Sequence, residues 1–364
     1  MSSKITRNKE YDIISLGEVM LRMDPGDGRI RTSRSFNVWE GGGEYNVSRA
    51  FAKCFKKRSA IITSFVENEI GFLLKDLIMQ GGVDTKFIKW RDFDGIGRVS
   101  RNGIYFLEKG FGIRGALGCS DRANTAISQP KPNEIDWDYI FKNQGTKWFH
   151  TGGIYAGLSE NSPKVIIEAM KSAKKYGTKI SYDLNYRPSL WNTLGGYLAA
   201  KKINEEIVQY VDVLFGNEED FTACLGFEVE GVDSKLENLP HSSFKKMISK
   251  VTKKYKNLEI IGTTLRKVIN ASSNDWSAIA WSSENGFVES KFYKSLDIYD
   301  RVGGGDGFAS GFIYGVMQGL SLEKSINLGV AHGALAMTTP GDTSMVSIEE
   351  VENLLKNSSA RVSR

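Results

Sequence analysis

Apolar and polar positions along this chain follow two different periods. Short continuous apolar runs, typical of buried strands, occur at residues 11–16, 60–65, 147–151, 178–184, 211–215 and 258–264. Between most of them, apolar residues recur every three to four positions, which predicts helices at residues 45–55, 70–80, 163–176, 201–210 and 244–255. Strands that alternate with helices form right-handed crossovers. The pattern therefore predicts an α/β fold with a doubly wound, mostly parallel sheet.

Two stretches, at about residues 18–40 and 84–128, interrupt this alternation. They are rich in short β-like runs, glycine and arginine and show no convincing helical period, so they predict antiparallel strands inserted into the α/β core. Because open α/β sheets bind ligands at the carboxyl ends of their strands, we expect the insertions to form a small β lid over that edge. We predict one domain over residues 11–356, with flexible ends at 1–10 and 357–364.

Composition narrows the possible functions. The 364 residues are 41% hydrophobic and carry a formal net charge of +5, so there is material for a large core and only a mild basic excess. The lysines are dispersed at helical spacing opposite apolar positions, which argues against a nucleic-acid partner. No apolar run approaches the length of a membrane span. The cysteines and histidines are too scattered for a disulfide framework or a metal cluster, and we expect a cytoplasmic protein.

The strongest chemical signal is a glycine-rich loop that opens a predicted helix, Asp300-Arg301-Val302-Gly303-Gly304-Gly305-Asp306-Gly307. Glycines let backbone N–H groups turn toward one point, and the helix N-terminus adds the positive end of its dipole, so the loop predicts a phosphate site. A carboxylate beside a phosphate needs a reason. Asp306 could be an N-cap. In this longer string we interpret it instead as a general base for a hydroxyl that attacks a terminal phosphoryl group.

Other phosphate-binding motifs do not occur in the sequence. There is no Gly-Lys dipeptide, which excludes a Walker A loop, and no His-Arg-Asp, which excludes the protein-kinase catalytic loop. The first predicted strand ends in Gly17-Glu18-Val19, which does not continue as the dinucleotide-binding Gly-x-Gly-x-x-Gly. The loop at residues 300–307 is therefore the main candidate for phosphate chemistry.

That loop and an early stretch, Gly41-Gly42-Gly43-Glu44-Tyr45-Asn46-Val47-Ser48-Arg49-Ala50, resemble the two signature regions of the ribokinase-like (PfkB) sugar kinases. The resemblance covers nearly the whole chain and implies a ribokinase-like fold. It implies that Gly42 and Gly43 contact the sugar and that Asn46 points into the sugar pocket. An amide offers both a donor and an acceptor to a hydroxyl-rich ligand.

The resemblance also assigns roles in the glycine-rich loop. It implies that Asp306 is the catalytic base and that Gly303, Gly304 and Gly305 form the anion hole. Arg301 stands where the family usually has Thr, and Gly304 where it has Ala. This variant of the signature resembles that of the 2-keto-3-deoxygluconate kinases.

Two further segments resemble the sugar-binding parts of the family. Asp183-Leu184-Asn185-Tyr186-Arg187 follows a predicted strand, and the resemblance implies that Arg187 reaches the pocket, where its fork could bind a carboxylate or a phosphate oxygen. Residues 105–114 and 121–124 of the lid resemble the segment from which ketodeoxygluconate kinases supply aromatic and basic contacts. Tyr105 and Arg114 are the candidates, with an exposed surface cation as the alternative for Arg114.

The nucleotide side is implied by resemblance alone. Asn217 and Asp220 match a motif that influences magnesium and phosphate binding, with Asp220 replacing the family's Glu and acting on the metal indirectly. Thr264 ends a strand next to ATP, and Arg266 stands where the family has glycine. The family's helix beside the adenine corresponds to the segment containing Asn327 and Ala331.

Together these features predict an ATP- and Mg²⁺-dependent sugar kinase that phosphorylates a primary hydroxyl, with 2-keto-3-deoxygluconate as the expected substrate and its 6-phosphate as the product. A fructokinase or another neutral-sugar kinase is the alternative within the family. A non-catalytic nucleotide- or sugar-binding regulator is the alternative from another class. The resemblance implies a homodimer paired through the lid.

Overall fold

A computed structural model describes residues 9–229 and 241–356. In this part of the chain the strands are β1 (Tyr11–Leu16), β2 (Met20–Asp24), β3 (Asn37–Gly41), β4 (Ser59–Val66), β5 (Ile88–Arg91), β6 (Ile104–Glu108), β7 (Leu117–Asp121), β8 (Thr146–Gly152), β9 (Lys179–Asp183), β10 (Val213–Phe215), β11 (Ile260–Asn270), β12 (Ser273–Ser282), β13 (Gly286–Glu289) and β14 (Tyr293–Asp297).

The α-helices are α1 (Gly43–Lys53), α2 (Glu69–Gln80), α3 (Gly153–Ala156), α4 (Ser162–Lys175), α5 (Pro188–Trp191), α6 (Gly196–Ile207), α7 (Glu218–Leu225), α8 (His241–Lys254), α9 (Gly304–Met317), α10 (Leu322–Ala336) and α11 (Ile348–Leu355). None of the described helices is both long and apolar enough to cross a bilayer.

The main sheet has the order β13-β12-β11-β10-β9-β8-β1-β4-β5, with β14 paired to β12. The strands from β11 to β5 in this order run parallel, as the alternation of strands and helices predicts. The antiparallel edge formed by β12, β13 and β14 was not predicted. Tight turns join these strands, so no helical period separates them in the sequence.

Apolar side chains cover both faces of the main sheet. Along β8 and β10, neighbouring residues alternate between two clusters: Trp148 and Val213 pack on one face, and Phe149 and Leu214 on the other. This two-residue alternation is that of a strand buried on both sides. Helices α1, α9 and α10 cover one face, so the sheet holds the start of α9 in a fixed position.

Helices α9 and α10 approach each other closely. A Cβ on Gly307 would lie 3.0 Å from the Cα of Gly333, and one on Gly311 would lie 2.8 Å from the carbonyl oxygen of Leu328. Side chains at these positions would force the helices apart. The small residues of α9 therefore anchor the helix that carries the glycine-rich loop at its N-terminus.

The lid is a four-stranded sheet of order β3-β2-β6-β7. Its two hairpin-like pairs are antiparallel, but β2 and β6 pair in parallel, with Leu21 opposite Ile104. The predicted antiparallel pairing therefore holds within each insertion, and the pairing between the two insertions is parallel. The two halves come from separate insertions, and only strands joined by a tight turn are required to run antiparallel.

The boundaries of the insertions also differ from the predicted ones. Strand β5 pairs in parallel with β4 of the main sheet, so residues 88–91 belong to the core and the second lid segment begins after them. At the start of the chain, Glu10 donates its backbone N–H to the carbonyl of Gln144 over 3.1 Å, so it belongs to the fold. Otherwise the predicted flexible ends, 1–8 and 357–364, lie outside the described residues.

Candidate active site

A cleft with a volume of about 490 Å³ lies at the carboxyl ends of β1, β8, β9, β10 and β11. Residues from the lid, such as Met20 and Tyr105, form one wall, and residues of the core form the other. The predicted site residues that line it are Gly42, Gly43, Asn46, Tyr105, Arg187, Asn217, Asp220, Thr264, Arg266, Gly303, Gly305 and Asp306. This is the edge at which open α/β sheets bind ligands.

The glycine-rich loop enters this cleft as the N-terminus of α9. Gly303 is the N-cap and has a φ of +81°, and a Cβ there would lie 1.9 Å from the carbonyl oxygen of Asp342. Only glycine fits such a position. The amides of Gly304, Gly305 and Asp306 begin the helix and have no acceptor within it. The loop therefore offers unpaired N–H groups and a positive dipole end to an anion.

Gly304 itself does not line the cleft. Its Cα faces the core, where a Cβ would lie 2.9 Å from the Sδ of Met337. Gly305 faces open space, because nothing lies within 4 Å of a Cβ built on it. A side chain at position 304 would therefore collide with the core. The cleft surface is formed by Gly303 and Gly305.

Asp306 lies in the first turn of α9, at the floor of the cleft. Asn46 donates its Nδ2 to the Oδ2 of Asp306 over 2.7 Å. Asp306 is not a capping residue, because the N-cap is Gly303 and no side chain makes a cap hydrogen bond there. Burial raises the pKa of Asp306 to about 6, while the bond from Asn46 lowers it. A carboxylate with a pKa near 6 can accept a proton near neutral pH.

Gly43 leaves room in front of this carboxylate. A Cβ at Gly43 would point at the Oδ1 of Asp306 from 3.5 Å and at the Nδ2 of Asn185 from 3.6 Å. Gly42 is required for a different reason, because a Cβ there would lie 1.9 Å from the carbonyl oxygen of Glu18. The early glycines thus open the space into which a hydroxyl group could approach Asp306.

A buried charge network joins the lid to the glycine-rich loop. The fully buried Arg22 of β2 contacts Asp300, and it donates to Asp342 over 2.7 Å and to Asp24 over 3.0 Å. The hydroxyl of Tyr105 also donates to Asp342, which lines the cleft. Three carboxylates around one guanidinium fix the positions of the loop and of the lid strand relative to each other.

Arg122, not Arg114, is the lid arginine in the cleft. Arg122 donates its Nε to the buried Glu18 over 2.9 Å, and both residues line the cleft. Arg114 instead closes a tight turn at the lid tip, where its Nη1 donates to the carbonyl of Lys109 over 3.0 Å. Arg114 therefore does not line the cleft in the described structure. Arg122 directly follows β7, within the segment 121–124 that carries the family resemblance.

Arg187 follows β9 and lines the cleft as predicted. Beside it, burial and the charges of Asp220 and Asp306 raise the pKa of Asp183 well above its usual value, while Arg187 lowers it. Asn185 is held in the left-handed region, with a φ of +34°, which turns the strand end into the cleft. The end of β9 therefore contributes a cation and a buried carboxyl group to the same pocket.

The nucleotide-side predictions divide into two groups. Asn217, Thr264 and Arg266 line the cleft, together with Trp276 and Phe308, which sequence reasoning missed. Asn327 and Ala331 do not line it. Asn327 accepts a backbone N–H from Lys291 over 2.7 Å, and Ala331 is fully buried in the core. Helix α10 lies behind the wall, where the carbonyl of Val330 accepts the Nε1 of Trp276 over 3.1 Å.

Asp220 is occupied by the backbone. It forms a capping box with Asn217 at the start of α7, accepting the N–H of Asn217 over 2.9 Å and that of Tyr186 over 2.7 Å. This geometry fixes where α7 begins relative to the end of β9. Its role in the described structure is to position the loops of the cleft.

The remaining carboxyl groups suit a cation that is bound together with phosphate. Within residues 9–229 and 241–356, no group of three or more His, Cys, Asp or Glu could hold a metal alone. Mg²⁺ in phosphoryl transfer needs only one or two carboxylates besides phosphate oxygens and water. Asp183 and Glu218 line the cleft, and burial raises the pKa of both, so a cation would offset their charge. The residues present fit such an ion.

Comparisons with known proteins agree with this geometry. A 2-dehydro-3-deoxygluconokinase from Thermotoga maritima has a crystal structure that superposes with a TM-score of 0.85 at 36% identity, over 94% of this chain and 99% of that one. A 2-dehydro-3-deoxygalactonokinase from Haloferax volcanii is 27% identical over 97% of this chain and 99% of its own length. A 5-dehydro-2-deoxygluconokinase from Geobacillus thermodenitrificans is 23% identical over 96% and 94%.

These similarities confirm the predicted ribokinase-like α/β fold and an enzyme that transfers phosphoryl groups to an alcohol. The model of the pfkB family carbohydrate kinases matches residues 11–349, which is most of the chain. The chain therefore belongs to the pfkB family of carbohydrate kinases.

Proposed function

We propose that this sugar kinase transfers the γ-phosphoryl group of ATP to the primary hydroxyl of 2-keto-3-deoxygluconate and forms its 6-phosphate. The observation that carries the proposal is the position of Asp306. Its carboxylate is held by Asn46, faces the space left by Gly43, and lies one residue beyond the exposed Gly305 of the anion loop. A base and an anion site side by side are what in-line phosphoryl transfer requires.

In this mechanism Asp306 accepts the proton of the attacking hydroxyl. The amides at the start of α9 stabilise the charge that develops on the transferred group. Thr264, Asn217 and Arg266 bind the nucleotide, and the lid excludes water so that hydrolysis does not compete. Mg²⁺, which Asp183 and Glu218 would hold with the phosphates, supplies further neutralisation of phosphate charge.

Two arginines in the part of the cleft that is proposed to bind the sugar favour an acidic substrate. Arg122 from the lid and Arg187 from the core both line the cleft, and guanidinium groups bind carboxylates in a two-pronged geometry. The relatives are named as kinases for keto-deoxy sugar acids. Arg122 is already paired with Glu18 through its Nε and Nη2, so Nη1 is the part of its guanidinium left for a ligand. Asp306 and the open anion site argue against a non-catalytic regulator.

A substrate panel tests the proposal. ADP release is measured at equal enzyme concentration with 2-keto-3-deoxygluconate, its galactonate epimer, 5-keto-2-deoxygluconate, fructose and ribose. We expect the highest kcat/KM for a keto-deoxy sugar acid. Preference for fructose would replace the proposal with the neutral-sugar alternative. ATP binding without ADP release from any sugar would favour the regulator.

Arg122→Lys is expected to raise KM for the sugar acid by about 10-fold or more with little change in KM for ATP. The lysine retains a charge beside the buried Glu18, but it lacks the further guanidinium nitrogens that let arginine bind Glu18 and a ligand carboxylate together. Steady-state kinetics with each substrate varied separately measures this. Arg114→Gln, outside the cleft, is the matched control and should behave as wild type. An unchanged KM in the Lys variant would contradict the role of Arg122.

We also propose that the enzyme is a homodimer paired through the lid. The lid exposes apolar side chains, among them Val38 on β3 and Leu117 on β7. Val38→Asp combined with Leu117→Asp should therefore give a monomer, as measured by size-exclusion chromatography with light scattering. Leu198→Asp, an exposed apolar position on α6, is the control. A wild-type chain that is monomeric at micromolar concentration would disprove the dimer.

A further inference from the structure

We call the part of the cleft that is proposed to bind the nucleotide the donor end. Two arginines at this end have no ion-pair partner among the described residues. Arg301 precedes the anion loop, and Arg266 extends from β11, four strands away from β1 in the sheet order. The arginine ion pairs of the described chain involve other residues, such as Arg22, Arg101 and Arg122. No described carboxylate forms an ion pair with Arg266 or Arg301.

The guanidinium of Arg301 is short of hydrogen-bond partners. Its Nε and Nη2 are buried, and neither has an acceptor among the described residues. Desolvated donors without partners destabilise a protein unless a ligand satisfies them. Outside the cleft, Arg301 borders a void of about 10 Å³ beneath the lid tip, which is barely large enough for one water. A larger ligand must therefore come from the cleft.

The two guanidinium groups are close enough to repel each other. Desolvation and the charge of Arg301 together lower the pKa of Arg266, while Glu218 raises it. The backbone that carries Arg301 is also held in place: Asp300 donates its N–H to the carbonyl of Met337 over 3.2 Å, and its side chain contacts Arg22. The backbone at Arg301 is thus fixed beside the anion loop, and a dense negative charge would stabilise the two like charges there.

We propose that Arg301 and Arg266 form a clamp for the β- and γ-phosphates of the nucleotide, with Arg301 contacting the phosphoryl group that is transferred. This inference rests on the proposed function, because it assigns these residues to the donor. Arginine at these two positions supplies charge to the outer phosphates in addition to the backbone amides. The acceptor carboxylate is the competing ligand, but Arg122 is paired with Glu18, which follows β1, four strands away from the β11 that carries Arg266.

The clamp predicts that affinity for outer phosphates is lost selectively. Isothermal titration calorimetry with ATP, ADP and AMP, in the absence of sugar, is carried out on wild type, Arg301→Gln, Arg266→Gln and the double variant. We expect ATP and ADP affinity to fall by about 10- to 100-fold per arginine, with AMP affinity unchanged. In steady-state kinetics kcat should also fall in Arg301→Gln and recover in part in Arg301→Lys, which keeps the charge.

Arg114→Gln is the control for a general loss of positive charge, and thermal unfolding of each variant checks the fold. ATP affinity and kcat equal to wild type in the double variant would overturn the clamp. So would a raised KM for the sugar acid with unaltered ATP binding, since the arginines would then bind the acceptor. If wild type phosphorylates no sugar acid, the proposed function fails, and the ATP, ADP and AMP titrations still decide the clamp separately.

Discussion

Asp306→Asn is expected to lower kcat by about 10²- to 10⁴-fold while ATP affinity stays close to that of wild type. Asparagine retains the shape of the side chain and a hydrogen-bonding contact with Asn46, but it cannot accept the proton of the attacking hydroxyl. The anion loop is untouched, so the nucleotide still binds. Single-turnover kinetics and a nucleotide titration measure the two quantities separately. Turnover near that of wild type would remove Asp306 from the mechanism.

The pH dependence gives a second signature of the same residue. Burial and the charge of Asp342 raise the pKa of Asp306 to about 6, against the lowering effects of Asn46 and Arg187. Only the ionised carboxylate is a base, so kcat/KM of the wild type should rise with pH and level off above about 6. The acid limb should disappear in Asp306→Asn. If the acid limb of the pH profile persists unchanged in the variant, it belongs to another group. Glu44 is one such group, because burial raises its pKa to about 7.

The loss of activity in Asp306→Asn should not result from unfolding. The raised pKa of Asp306 predicts how the substitution changes the stability of the protein, so this can be tested. The unfolded carboxyl loses its proton near its ordinary pKa of 3.8, and the folded one near 6. Between these values the folded state binds more protons, so this group's contribution to stability declines as pH rises and stays low above 6. The neutral asparagine avoids that loss. Asp306→Asn should therefore unfold at pH 8 at a temperature equal to or above that of wild type.

Features that depend on local sequence were predictable. The glycine-rich loop predicted an anion site because three glycines directly precede a helix, and the structure has α9 beginning at Gly304. The core strands were predictable because a strand buried on both faces reads as a continuous apolar run. The antiparallel edge strands gave no such signal. No residue of β13 or β14 is fully buried, and Asn274, Asp275 and Ser277 interrupt the apolar run of β12.

Contacts between distant segments were not predictable. Nothing local distinguishes Arg122 from Arg114, because both lie in lid segments rich in glycine and small residues. Only the folded structure shows that Arg122 lines the cleft. Asp342 follows α10 in an ordinary turn, and its position at the cleft depends on Arg22, which is 320 residues away. Asn327 and Ala331 lie on α10, and Trp276 of β12, which donates to the Val330 carbonyl of that helix, lines the cleft in front of it.

Arg22→Met is expected to lower the free energy of unfolding by about 3–5 kcal/mol at neutral pH. Methionine fills much of the volume, but Asp24, Asp300 and Asp342 then lose the cation that joins them in a site from which water is excluded. Burial already raises the pKa of Asp300, and Arg22 opposes that shift. Without Arg22, Asp300 should bind its proton more readily in the folded state. The deficit in stability should therefore shrink as pH falls from 7.5 to 5.5.

Urea unfolding at both pH values measures this deficit. Arg101→Met is the matched control, because its ion pair with Asp121 is exposed and should contribute less than about 1 kcal/mol. A loss in Arg22→Met as small as in the control would show that the three carboxylates do not need the guanidinium. The same network holds Asp300, at the start of the anion loop, and the cleft residue Asp342, which Tyr105 also contacts. Arg22 therefore links the stability of the lid to the position of the catalytic loop, and kcat in Arg22→Met should fall even at temperatures where the variant remains folded.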